Sequence, residues 1–249
     1  MTIAEKLTKI ADNEQKVYDA GYERGYHDGE IVGGGSYDEG FADGKQAEYD
    51  AFWDVYQNNG NRTDYSFAFA GNGGNGYSSA KGVWTNETFK PKYPLIASKG
   101  ANYMFRGSCI ENVDCDIDIS QCTTVTYMFY YNYLIKTIRK LIISENVKMT
   151  APFEQCSALE NITFEGVIGN DINFQWSTLL TRASIESIVS HLSDTASGKT
   201  LTLSKLAADN AFPCPMEDGN GGWINVGCGG NSEWLELVAT KSNWQISLV

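Results

Sequence analysis

Three stretches of this chain repeat one another at spacings of 24 and 25 residues, and this periodicity limits the available folds more than any other feature. Tyr103-Met104-Phe105 returns as Tyr127-Met128-Phe129 and, more loosely, as Ala151-Pro152-Phe153, so that Met104, Met128 and Phe153 mark equivalent places. Six residues beyond each stand Ile110, Leu134 and Leu159, and Ile110-Glu111-Asn112-Val113 matches Leu159-Glu160-Asn161-Ile162. The middle copy, Leu134-Ile135-Lys136-Thr137-Ile138, reads one residue longer, and a degraded fourth copy runs from near Trp176 to Leu180. Units this short hide an apolar side only by stacking on their neighbours, so residues 102–180 are expected to form a short array of about three copies. Alternation argues for strands: Cys115, Ile117 and Ile119 share one face while Asp114, Asp116 and Asp118 share the other. Leu141 with Ile143, and Ile162 with Phe164, repeat that pattern.

The flanks read differently. Residues 1–57 are expected to be helical, because Ile3, Leu7, Ile10 and Val17 form a thin, heptad-like stripe among charged residues. Such a stripe is too narrow to bury a monomeric helix, so it predicts a homo-oligomer, with a parallel trimer or dimer as the natural outcome. Tyr18, Tyr22 and Tyr26 then recur every fourth residue with glycine just before each next aromatic, and the pattern returns at Tyr37 and Phe41. Each glycine costs a helix about 1 kcal/mol, which close packing of rings over the backbone of a neighbouring chain would offset. The alternative is a flexible Gly/Tyr-rich linker. Residues 58–101 form a Gly/Asn-rich capping segment ahead of the repeats, with Trp84, Phe89 and Tyr93 set to pack on the first copy. Its glycine run lacks the Lys-Ser/Thr and strand-loop-helix context of a phosphate loop. Residues 181–249 read as a closing cap, an amphipathic helix over 181–192 followed by a strand over 199–204.

The fold class expected is therefore mixed α+β: a coiled-coil-like N-terminal stalk, a short repeat β-solenoid and a C-terminal helix/strand cap. A net charge of −12 repels phosphate backbones and anionic lipid, which excludes nucleic acid and membrane surfaces as natural partners. No apolar run reaches the length of a transmembrane helix. Met1–Leu7 lacks a basic region followed by an apolar one, so export by a signal peptide is not expected. Release by lysis, by a dedicated secretion machine or within a particle would carry such a chain outside a cell.

One unit sharpens the picture. Phe153-Glu154-Gln155-Cys156-Ser157-Ala158-Leu159-Glu160-Asn161-Ile162-Thr163-Phe164 resembles the Phe-x-x-Cys-x-x-Leu-x-x-Ile-x-Ile/Phe unit of BspA-like leucine-rich repeats, found in bacterial surface proteins and in proteins of phages and prophages of gut bacteria. Gly107 and Tyr131 stand where the first two copies would carry the cysteine. The opening residues 1–7, the 51–54 segment, the helix-strand pair after residue 181 and the ending 234–248 are similar to such phage-encoded proteins. The resemblance implies a non-enzymatic, structural protein of a phage tail tip or fibre. Residues 1–57 would bind other virion proteins, and the repeats would present a receptor-binding surface to a host glycan or protein. A bacterial cell-surface adhesin of the same class is the alternative, and an intracellular enzyme or host-takeover factor the third.

Catalytic and metal chemistry finds little purchase. The six cysteines include no Cys-x-x-Cys pair and only two histidines accompany them, so buried free thiols are the better reading than a zinc site. Asp114, Asp116 and Asp118 begin like a calcium loop, but Ile119 stands where its glycine belongs and Val125 where its closing acid belongs. A looser cation or ligand contact stays open for these aspartates, beside a merely solvated strand face. Neither histidine has a nucleophile-elbow serine or cysteine near it, and no carboxylate pair stands out for glycoside hydrolysis. No catalytic residue, metal or cofactor is expected. The aromatic run is the sharper candidate: Tyr130, Tyr131 and Tyr133 cannot all enter one thin core, and exposed tyrosine beside Asn132 suits a recognition surface. The alternative is that these rings pack under the neighbouring turn.

Overall fold

Alternation becomes strand where the sequence calls for it. In β3 (Asn112–Asp118) the inward residues Val113, Cys115 and Ile117 are buried while their neighbours are half-exposed. β5 (Thr137–Ile143) and β7 (Asn161–Gly166) lie beside it in parallel, joined by β1 (Thr88–Phe89) and β2 (Leu95–Ile96), both paired to β3. Asn112 pairs with Thr137 and Thr137 with Asn161, which turns the sequence spacing into a strand-to-strand register. Two inward anchors hold that register, Val113–Ile117, Ile138–Leu141 and Ile162–Phe164, with successively fewer residues between them. Bulges in the ladder absorb the difference. One result is that Arg139 and Lys140 both lie between the anchors of β5 and reach the outer face.

The computed structural model describes residues 65, 69, 88–91, 94–108, 110–218, 220 and 222–249. The helical segment expected over 1–57, with its oligomerising residues Ile3, Leu7, Ile10, Val17, Tyr18, Tyr22 and Tyr26, lies outside them. The expected fold class does not stand. The described residues are mostly strand in parallel sheets, with three short α-helices among them, all C-terminal to residue 181. Nor do the strands form one solenoid wall. They fall into a five-stranded sheet, a three-stranded sheet and two pairs: β4 (Thr124–Thr126) with β6 (Lys148–Thr150), and β10 (Pro215–Glu217) with β11 (Trp223–Asn225). The physical reason is that each copy of about 24 residues makes a 6- or 7-residue strand and a separate short strand, and the long strands pair with one another in one sheet while the short ones pair apart from it.

Between the strands the chain turns sharply. Tyr103, Tyr127 and Ala151 adopt left-handed φ values of 55°, 53° and 45°, and Gly107, Tyr131 and Gln155 do so four residues later at 61°, 60° and 63°. For a residue with a side chain this costs roughly 1–2 kcal/mol. Hydrogen bonds from one copy to the next compensate: the amides of Tyr103, Phe105 and Gly107 donate to the carbonyls of Thr126, Met128 and Tyr130, and the pattern repeats from Tyr127, Phe129 and Tyr131. Because the first left-handed residue redirects the chain, the next two both point inward, so Met104 and Phe105 are buried together, as are Met128 and Phe129.

Those phenylalanines form the spine. Phe69, Phe105, Phe129, Phe153 and Phe174 stack in sequence with ring centroids 5.0, 5.1, 5.7 and 4.6 Å apart. Each is fully buried, contributing about 1.5–3 kcal/mol. Phe89 meets Phe105 edge-on, as expected of the leading cap. The stack corrects the sequence alignment by one place, since Phe105 and Phe129, rather than Met104 and Met128, match Phe153. It also settles the aliphatic position: Ile110, Ile135, Leu159 and Leu180 are buried, whereas Leu134 is 49% exposed. The first copy is thus one residue short between these two positions, and the middle copy is of ordinary length.

The last part of the fold closes the stack. β8 (Ile172–Phe174), β9 (Lys199–Leu203) and β12 (Trp244–Leu248) make the three-stranded parallel sheet. α1 (Arg182–Ser190) starts at Thr181, whose side chain caps Ser184, and buries Ser184, Ile185, Ile188 and Val189. Its serines take over the free edge of β7: Ser184 Oγ accepts from the Ile162 amide at 3.0 Å and donates to the Glu160 carbonyl at 2.9 Å, and Ser187 Oγ accepts from Phe164 at 2.9 Å. α2 (Lys205–Ala211) and α3 (Ser232–Ala239) complete this region, where Phe212 packs on Trp234 and carries Arg182 over its ring. The described elements belong to a unit formed by residues 63–90 and 94–249. No helix among the described residues is long and apolar enough to cross a membrane.

Candidate functional site

With the turns aligned on their phenylalanines, equivalent stations follow. In each of four turns the amide three residues after the phenylalanine donates back to that phenylalanine's carbonyl, from Ser108, Asn132, Cys156 and Ser177. This station faces inward. Ser108 Oγ donates to Asn132 Oδ1 at 2.8 Å, and Asn132 Nδ2 donates to the carbonyls of Phe105 and Phe129. Cys156 Sγ donates to the Phe129 carbonyl at 3.1 Å, and Ser177 Oγ to the Cys156 carbonyl at 3.2 Å. Asn132 is fully buried, so its expected place on the recognition surface is corrected: it is an internal tie between copies. Burial pushes the Cys156 thiol well above its usual range. The place expected for Gly107 and Tyr131, opposite this cysteine, belongs instead to Ser108 and Asn132.

The tyrosines sit on the outside of the same turns. Tyr130, Tyr131 and Tyr133 are half-buried and so are Tyr103 and Tyr127, which makes them neither core nor free side chains. They hold one another. Tyr103 stacks on Tyr127 at 5.5 Å, Tyr127 tilts against Tyr130 at 4.7 Å, and Tyr130 meets Tyr131 edge-on at 4.0 Å. Tyr131 approaches Tyr133 at 5.9 Å, and the Tyr133 hydroxyl donates to Gln155 Oε1 in the next copy. The Arg106 guanidinium lies 5.5 Å from the Tyr103 ring centre and 5.7 Å from that of Tyr130. A hydrogen bond to Tyr131, aided by burial and by the nearby Glu154 carboxylate, pushes the Tyr130 hydroxyl up to about 12, so it stays a neutral donor. Chemically this is a braced aromatic platform carrying hydroxyl groups.

Two stations run along it. One holds Arg106, Tyr130, Glu154 and Gln175, and the next holds Gly107, Tyr131, Gln155 and Trp176. Trp176 is 45% exposed. Arg106 and Gln155, which touch the tyrosines, and Trp176, which follows Gln155 in the count from the phenylalanines, escaped the sequence reading of the surface; only the phenylalanine register could have found them.

Asp114, Asp116 and Asp118 lie apart from the tyrosines, on the outer face of the five-stranded sheet. Asp114 pairs with Lys90 at 2.8 Å, which holds its carboxyl below the usual range. Asp116 stands 3.2 Å from Arg139 Nε, an ion pair without hydrogen-bond alignment, and 3.9 Å from Lys140, which itself reaches Glu165 at 2.8 Å. Asp118 accepts from the Ser120 amide in a local turn. These aspartates hold neighbouring strands and turns together on the outer face of the sheet. Among the described residues no three His, Cys, Asp or Glu side chains are grouped as metal ligands. Of the five cysteines among them, all are free and Cys214 alone is half-exposed. A shallow groove between α1 and α3 includes His191 and Leu237, but its cation Arg182 is held by Glu186 at 2.7 Å and Glu233 at 2.6 Å.

No family model, no curated protein and no solved structure matches the chain.

Proposed function

We propose that this chain is a non-enzymatic recognition protein of a phage tail tip or fibre, and that its tyrosine-rich turn face binds the host surface. The carrying observation is the platform formed by Tyr103, Tyr127, Tyr130, Tyr131 and Tyr133, whose rings brace one another while staying half-exposed. Rigid tyrosine presents large contact area and a hydroxyl at low entropic cost, which is what a binding surface requires. Further support comes from the resemblance of residues 153–164 to repeats known from phage and surface proteins, and from an acidic charge unsuited to nucleic acid. Residues 1–57 would supply self-association and attachment to other virion proteins.

The test is binding of labelled full-length protein to a panel of intact gut-bacterial cells, with the Tyr130→Ala/Tyr133→Ala double variant beside it. Strain-selective binding that the variant loses supports the proposal. Absence of binding to every strain, together with absence of the chain from purified virions, sinks it.

A further inference from the structure

Resting on that recognition reading, we infer that the ligand is a neutral, extended β-linked glycan lying along the stack of turns and seated on Tyr131, Gln155 and Trp176. Three observations meet here. First, these residues stand two after Phe129, Phe153 and Phe174, whose own rings step by 5.7 and 4.6 Å along the stack; Tyr131 and Gln155 share a left-handed backbone there, and Trp176 follows by count with a 45% exposed side chain. Such a step matches parallel strand spacing, and one pyranose ring of an extended chain spans about the same distance. Second, the order is aromatic, amide, aromatic. In a β-1,4-linked chain alternate sugars present the same face, so two rings separated by one turn meet equivalent sugars while the amide meets the hydroxyls between them.

Third, the chemistry around the column favours a neutral chain. Gln155 already accepts from the Tyr133 hydroxyl, which orients its amide, and its NH₂ can donate to a sugar hydroxyl. Glu154 stands at the neighbouring station, close enough to raise the Tyr130 hydroxyl, and the whole chain carries a net charge of −12. Arg106, the cation of the platform, lies over the Tyr103 and Tyr130 rings. An anionic polysaccharide would meet repulsion here. Gly107 begins the same station in the first turn, so that turn adds no side chain to the column beyond Tyr131.

The experiment is calorimetric titration of the full-length protein with cellohexaose and chitohexaose, with maltohexaose and glucose as comparators. At least one β-1,4 hexamer is expected to bind about tenfold or more tighter than maltohexaose. Trp176→Ala should weaken that binding about tenfold, the loss of one aromatic stacking contact, and Trp176→Phe should restore most of it with unchanged circular dichroism. Silence with both β-1,4 hexamers, equal affinity for maltohexaose, or full affinity in Trp176→Ala overturns the inference. Cell binding that survives without any hexamer binding, or that protease treatment of the cells abolishes, overturns the glycan class and leaves host recognition standing. Hexamer binding without cell binding does the reverse.

Discussion

Along one edge of β7 the backbone groups meet those of β5, whereas along its other edge they meet two serine hydroxyls from α1. The first seam is repeated from strand to strand and could continue for as long as copies are added. The second ends the series. A parallel edge strand leaves amides that would accept another chain, and the helix answers them with Ser184 and Ser187, three residues apart on one face. Interior copies therefore depend on packing along the phenylalanine spine, while the closing seam depends on individual polar contacts. The two should respond to different perturbations.

The widest separation is expected from the spine. Phe129→Ala removes a fully buried ring stacked on both sides, and it should lower unfolding free energy in urea by about 3–5 kcal/mol. A loss below roughly 1 kcal/mol would show that the stack is not the main support. Next comes the closing seam itself. Ser184→Ala leaves the Ile162 amide and the Glu160 carbonyl without this partner, for about 1–3 kcal/mol, and should speed hydrogen exchange at Ile162 while leaving Ile138 protected. Equal acceleration at both amides would erase the distinction between the seams. The smallest effect is a pH dependence. Glu145, following β5, accepts hydrogen bonds from Ser193 and from Thr195 at 2.7 Å, beyond α1, and these hold its carboxyl below the usual range. The stabilisation is present above the ordinary glutamate range and is lost as pH falls through the depressed value. Glu145→Gln should flatten that part of the acid profile, and an unchanged profile would show that the hydrogen bonds from Ser193 and Thr195 add no stability.

Much of this organisation could be read in advance, and its failures have physical causes. The spacing of the copies, the inward Cys115, Ile117 and Ile119, the helix after Thr181 and the strand from Lys199 were all visible as periodicity. The one-residue error at Met104 and Met128 arose because a left-handed residue sends two consecutive side chains inward, which neither helical nor strand periodicity describes. Asn132 misled because an amide within a tyrosine run has the composition of a surface. Its buried role shows only through Ser108, a full copy away. The aspartates were legible in part. Their alternation located the outer face correctly, but the cations that hold Asp114 and Asp116 come from other strands and from Lys90.

The inward station shared by Ser108, Asn132, Cys156 and Ser177 bears on how such an array can change over time. Asn132, Cys156 and Ser177 each offer a hydrogen to a carbonyl of the preceding turn, and Ser108 offers its hydrogen forward to Asn132, so an amide, a thiol and a hydroxyl all serve here. The four copies accordingly differ in residue type at this station while keeping the same turn hydrogen bond. The outward stations, whose rings brace one another at the surface, are open to selection by whatever they touch.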